Sequence, residues 1–135
     1  MKGLIYIELT ESLTSAYEKE LILWAKARFE GITTFDLDSR SDSFMFNYAA
    51  DLVEQSDKIV LYISIDGAAS AAQVTRLAEK LITHKTKRLV LMQGDNALLN
   101  RLFSLLKESY YKGLTPEEEK KRIEEFFEDK GKLLS

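Results

Sequence analysis

The segment from Lys58 to Ile82 constrains the fold more than any other part of the chain. Ile59-Val60-Leu61-Tyr62-Ile63-Ser64-Ile65 reads as a continuous apolar run, the pattern of a strand buried on both faces of a parallel sheet. Asp66-Gly67-Ala68-Ala69-Ser70 supplies turn chemistry. Val74, Leu77, Ala78, Leu81 and Ile82 then recur at helical spacing. Strand, turn and helix in that order form half of a strand–helix–strand unit. Asp66 to Ser70 fall at the carboxyl end of a parallel strand, where open α/β sheets bind their ligands.

The same alternation runs through the rest of the chain. Leu4 to Ile7 predict a first strand. Leu13, Ala16, Tyr17, Leu21, Trp24 and Ala27 predict a helix capped by Ser12 and stopped by Gly31. Ile32 to Phe35 predict a second strand, and Asp36 to Asp42 a polar loop. Met45, Tyr48, Ala49, Leu52 and Val53 predict a helix capped by Asp42 or Ser43. Arg88 to Met92 predict a fourth strand, and Gln93 to Asn96 a turn. The following helix carries Leu98, Leu99, Leu102, Phe103, Leu105 and Leu106, an apolar face wide enough to imply burial on more than one side. Thr115-Pro116-Glu117-Glu118 joins a capping box to proline at the first helical position, and opens a charged amphipathic helix within 114–135. Nothing after Met92 reads as both short and strongly β-prone. The expected architecture is therefore a single α/β domain: a three-layer, doubly wound parallel sheet of four strands in the order 2-1-3-4, plus an extra C-terminal helix.

Composition removes several function classes. The 135 residues contain no cysteine and one histidine, which excludes disulfides, thiolate metal sites, thiol nucleophiles and paired-histidine sites within one chain. A net charge of -3 argues against general affinity for nucleic acid or anionic membranes. No apolar stretch approaches the roughly 18 residues that span a bilayer, and the N-terminus reads as a strand rather than a signal peptide. A cytoplasmic location is the expectation.

Four strand-end segments should converge on one rim: Thr10-Glu11-Ser12, Asp36 to Asp42, Ser64 to Ser70, and Gln93 to Asn96. The candidate ligand-binding residues are Thr10, Glu11, Ser12, Asp36, Asp38, Ser64, Asp66, Gly67, Ser70, Gln93, Gly94 and Asp95, with Gln73 just beyond the third segment. The sheet order reverses between strands one and three, so the first and third segments should flank a crevice. Helix N-termini there offer N–H groups to a ligand, although Ser12, Ser70 and Asp95 equally suit capping. Neither G-x-G-x-x-G nor G-x-x-x-x-G-K-[ST] occurs. A receiver domain would need an acidic pair after strand one, where Thr10-Glu11 stand.

Ile65-Asp66-Gly67 through Glu79 resembles the nucleoside 2-deoxyribosyltransferase group and the related Toll/interleukin-receptor-like folds, both flavodoxin-like. The resemblance implies chemistry on the N-glycosidic bond of a nucleoside or dinucleotide. Those enzymes carry a catalytic glutamate in the first turn of the helix after strand three, where this chain has Gln73; Glu79 lies two turns further and should point away from the rim. An amide cannot replace a carboxylate nucleophile. The resemblance therefore implies a non-catalytic relative that keeps a nucleoside-like ligand. The alternative is a nucleoside- or nucleotide-processing enzyme working through rim carboxylates: Glu11, Asp36, Asp38 and Asp66. The sequence assigns no catalytic residue, metal ligand or cofactor. His84 belongs at the opposite rim as a helix-end residue.

Ile123, Phe126 and Phe127 on the last helix need a covering surface, either the fourth strand or a second subunit. With no fifth strand, the fourth would expose its edge, and Tyr110, Tyr111 and Leu114 would add exposed aromatic surface. The expectation is a homodimer through the last two helices or the fourth strand. The function read from sequence is self-association, or binding of a small ligand or protein at the strand carboxyl-end rim.

Overall fold

The structure, a computed structural model, describes residues 1–9, 20–38, 41–65, 72–83 and 87–128. Five parallel strands form one sheet: β1 (Lys2–Leu9), β2 (Thr33–Asp38), β3 (Lys58–Ile65), β4 (Lys87–Gly94) and β5 (Tyr110–Lys112), in the order β2-β1-β3-β4-β5. The helices are α1 (Glu20–Arg28), α2 (Ser43–Gln55), α3 (Ala72–Thr83), α4 (Ala97–Phe103) and α5 (Pro116–Glu128). The α/β class and the 2-1-3-4 order hold, and a fifth strand extends them.

That fifth strand corrects the four-strand expectation. Tyr110-Tyr111-Lys112 is too short to register as a strand by periodicity. Its β character comes from pairing with Val90, Leu91 and Met92, and the Gly113 N–H extends the ladder to the Met92 carbonyl at 3.0 Å. Two predicted loops are also strand. β2 runs on through Asp36-Leu37-Asp38, because β1 continues to offer partners as far as Glu8. β4 likewise takes in Gln93 and Gly94 opposite Ser64 and Ile65.

Each face of the sheet has its own core. Ile5, Ile7, Ile59, Leu61, Ile63, Val90 and Met92 pack under α2, α3 and α4 through Ala49, Val53, Leu77, Leu81, Leu99 and Phe103. Leu4, Val60, Leu89 and Leu91 pack under α1 and α5 through Ala25, Phe29, Ile123 and Phe127. The apolar stripe of the last helix thus covers the chain's own central strands. Tyr111 and Leu114 lie partly buried in that layer, and Tyr110 packs on the opposite core, its hydroxyl donating to Asn100 Oδ1 at 2.9 Å. These residues are not the exposed aromatic surface expected from sequence.

Local chemistry accounts for the helix ends. Asp42 Oδ1 accepts from the Met45 N–H at 3.1 Å and Asn96 Oδ1 from the Leu99 N–H at 3.0 Å; Asn96, not Asp95, is the cap of α4. The Thr115–Glu118 capping box closes in both directions, at 3.0 and 3.2 Å. Lys58 donates to the carbonyls of Phe126 and Phe127, both at 3.2 Å, which places a cation on the negative end of the α5 dipole.

Two helix faces differ from their reading in the sequence. In α2, Phe46 is buried while Met45 and Tyr48 are exposed. α4 is short and gives way to a 3-10 segment, Ser104–Ser109, kinked at Lys107 (φ 55°). One side of the α4 region is buried, through Leu99, Phe103 and Leu106, while Leu98 and Leu105 face outward. Among the described residues no helix is long and apolar enough to cross a membrane.

Candidate functional site

β1 and β3 share one burial pattern, residue for residue. Their amino-terminal halves are buried on both faces. Beyond Ile5 and Leu61 they alternate: Tyr6, Glu8, Tyr62 and Ser64 are only partly buried on the α1/α5 face, while Ile7, Leu9, Ile63 and Ile65 stay in the opposite core. The run read from sequence as uniformly buried is therefore two-sided only in its first half. The α1/α5 layer leaves the carboxyl half of its face partly open.

Register turns this alternation into two lateral rows. Asp38, Glu8, Ser64 and Gln93 stand side by side across β2, β1, β3 and β4. One step toward the core, Asp36, Tyr6, Tyr62, Leu91 and Tyr111 do the same. Neighbouring positions in a row are about 4.8 Å apart. The Tyr6 and Tyr62 rings stack with centroids 4.8 Å apart and planes 21° from parallel. Over the Gln93 end lies Glu119 of α5, only 5% exposed, whose Oε2 accepts from Gln93 Nε2 at 3.1 Å. The same amide also donates to the Leu114 carbonyl, so Gln93 ties the polar row to the start of α5.

The electrostatics follow from partial burial beside carboxylates. Burial pushes the Tyr6 phenol up to about 12, and the negative charges of Glu8, Asp36 and Glu119 add to the shift, as does the hydrogen bond to Glu8. Burial raises Tyr62 as well, with Glu119 next in effect. Glu119 is itself raised by burial, and the bond from Gln93 opposes that shift. Both phenols are thus held neutral as donors, and Glu119 is shifted toward its neutral acid. None of the residues in the polar row is basic. The row is rich in hydrogen-bond acceptors, while Arg122 of α5 lies over the Tyr111 ring of the adjoining row, 4.4 Å from its centroid.

The candidates named from sequence are divided by this geometry. Asp36, Asp38, Ser64 and Gln93 are brought together on the α1/α5 face. Gln73 sits in the first turn of α3 on the opposite face, in a groove of about 60 Å³ shared with Ser43, Asn47 and Arg76. That volume is far below the roughly 300 Å³ at which small-molecule sites begin. Glu79 is exposed, its carbonyl accepting from the Thr83 hydroxyl at 2.9 Å. Gly94 is a backbone feature with φ of 91°. Asp95 pairs with Lys112 at 2.7 Å, which holds its carboxyl below the usual range. Thr10, Glu11, Ser12, Asp66, Gly67, Ser70 and His84 lie outside the described residues.

Sequence reasoning missed Tyr6, Glu8, Tyr62 and Glu119. The available signal was parity: Tyr6-Ile7-Glu8-Leu9 and Tyr62-Ile63-Ser64-Ile65 repeat one period-two pattern at matching positions. Glu119 carried no such signal, since it reads as one member of the acidic first turn of α5. Among the described residues no cluster of histidine and carboxylate side chains is arranged to hold a metal ion. No protein-family model matches the chain, and no curated protein matches its sequence.

Proposed function

We propose that this chain is a small-ligand-binding α/β domain whose site is the acceptor-rich, tyrosine-floored surface at the carboxyl end of the sheet. The observation that carries this reading is the registered row Asp38, Glu8, Ser64 and Gln93 beside the stacked Tyr6 and Tyr62. Carboxylates and a serine hydroxyl in a line accept from ligand O–H and N–H groups, and neutral phenols donate back. The ligand class is therefore an unphosphorylated, donor-rich molecule, with nucleosides and other polyols first. The lack of a basic residue in the row favours nucleoside over nucleotide.

Thermal-shift screening tests it. A ligand at about a hundred times its dissociation constant adds roughly 2.7 kcal/mol of stability. Nucleosides or polyols should raise the melting temperature, and Glu8→Gln or Tyr62→Phe should abolish the rise without lowering the ligand-free melt. Stabilisation by phosphate esters alone would refute the reading.

The enzymatic alternative rests on one observation: Glu119, pushed toward its neutral form, faces the same row as Glu8 and Asp38. Carboxyl groups gathered at one site are the raw material of acid–base catalysis. Release of free base from a nucleoside, lost in Glu8→Gln, would establish it.

A further inference from the structure

Glu119 is a carboxyl on a core stripe. It precedes Ile123 and Phe127 by one and two helical turns, and these three are the buried residues of α5. An apolar side chain would serve the fold there. An ionised carboxylate with 5% exposure is costly to hold unless a cation faces it. Among the described residues none does. Lys112 pairs with Asp95 and Lys120 with Glu20, while Arg122 lies over the Tyr111 ring and acts on Glu118 rather than Glu119. The bond that Glu119 does accept comes from the neutral Gln93 amide, on Oε2.

The open atoms of this pair lie together. Gln93 Nε2 spends both its protons, on the Leu114 carbonyl and on Glu119, which settles which end of the amide is the nitrogen. Among the described residues, neither the Gln93 side-chain oxygen nor Glu119 Oε1 accepts a bond. No fully enclosed side-chain polar atom lacks a partner, so both oxygens reach the surface. The charges that act on the nearby phenols of Tyr6 and Tyr62 are carboxylates from three elements: Glu8 of β1, Asp36 of β2 and Glu119 of α5. The surroundings are negative, aromatic and supplied with open acceptors.

We propose that Glu119 is the counter-charge for a protonated amine, and that the ligand of this surface is an amine-bearing polyol whose ammonium group lodges against Glu119 and the Gln93 oxygen beside Tyr62. The inference rests on the ligand site proposed above and adds the charge of its occupant. An ammonium group brings three donors and one positive charge. It matches the two open oxygens, is favoured beside an aromatic ring, and compensates the buried carboxylate that the described chain leaves without a cation. A metal ion fits less well, because no group of three carboxylates is arranged to hold one among the described residues. The hydroxyls of the ligand would fall to Ser64 and Glu8, next along the row from Gln93.

Titration calorimetry at neutral pH with two matched pairs tests the proposal: glucamine against sorbitol, and adenosine with its primary hydroxyl replaced by an amine against adenosine itself. Each pair differs only in ammonium against hydroxyl. The amine member should bind at least about tenfold more tightly, the weight of one hydrogen bond to a charged group. Glu119→Gln, shown to be folded by urea unfolding, should bring the two members of each pair to the same affinity. Glu117→Gln removes the same charge from an exposed position in the same helical turn and should leave the preference intact. Equal affinities within each pair for the parent chain overturn the inference and leave the ligand site standing. A preference that survives Glu119→Gln, or that vanishes in Glu117→Gln, also overturns it. Binding of no member of either pair overturns the inference and the site together.

Discussion

Tyr6 and Tyr62 occupy directly opposed positions on the two central strands, their rings stacked at 4.8 Å and both phenols held neutral by burial and nearby carboxylates. Each native phenol loses its proton at higher pH than the same group in the unfolded chain. Their contribution to stability is thus fully present below the ordinary value of 10.0 and is lost as the pH rises through the native value, about 12 for Tyr6. Stability should fall steeply between about pH 10 and pH 12. Tyr6→Phe should flatten that fall. Ultraviolet titration of tyrosinate, combined with urea unfolding at each pH, checks both statements, and early ionisation of both rings would contradict them.

Glu119 predicts a trend at lower pH. Its native pKa is raised, so the native state binds its proton more tightly than the unfolded chain does. The associated stability is present below the ordinary value of 4.5 and is lost as pH rises through the native value. Glu119→Gln keeps an oxygen to accept from Gln93 and carries no charge to bury. It should raise the unfolding midpoint at neutral pH and have little effect at acid pH. Equal effects at both would show that the carboxyl is not desolvated.

Gly94 tests the close approach of β3 and β4. A Cβ there would lie 1.7 Å from the Ile65 carbonyl oxygen, on a backbone with φ of 91°. Gly94→Ala should cost at least about 2–3 kcal/mol, because backbone strain and a clash with main chain combine. Gly31, with φ of 78° and nothing within 4 Å of its missing Cβ, carries the strain alone. Gly31→Ala should cost about 1 kcal/mol. Chemical denaturation of the pair separates the two contributions.

Phe103 and Leu105 test the facing of the α4 region. Phe103 is fully buried and Leu105 is 65% exposed. Phe103→Ala should cost about 3–5 kcal/mol, and Leu105→Ala should stay within about 0.5 kcal/mol. Comparable losses would restore the doubly buried helix that the leucine-rich sequence implies.

The sheet was legible wherever a strand was long and apolar enough to carry its own signal, as at Leu4 to Ile7 and Ile59 to Ile65. Helix caps were legible at Asp42 and at Thr115 to Glu118, because capping depends on residues a few positions apart. β5 was not legible, since three residues become a strand only through Val90 to Met92, distant in sequence. Asp36 and Asp38 misled for the same reason: aspartate favours turns locally, and the partner strand overrode it. Three of the four residues in the polar row, Asp38, Ser64 and Gln93, were named from sequence, together with Asp36 in the adjoining row. Glu8 and the tyrosines were hidden by reading β1 and β3 for total apolarity instead of parity. Gln73 shared the strand-end neighbourhood in sequence, but the sheet lies between it and the row.

The shared burial pattern of β1 and β3 has a consequence for how such a protein can change. Every rim side chain on these strands is flanked in sequence by residues anchored on the opposite face: Tyr6 and Glu8 by Ile5, Ile7 and Leu9, Tyr62 and Ser64 by Leu61, Ile63 and Ile65. Rim side chains can therefore be changed at every second position while the hydrophobic layer beneath keeps its composition. Surface chemistry and foldability are interleaved along the chain yet free to vary separately, which makes the carboxyl half of this sheet a ready surface for grafting designed side chains.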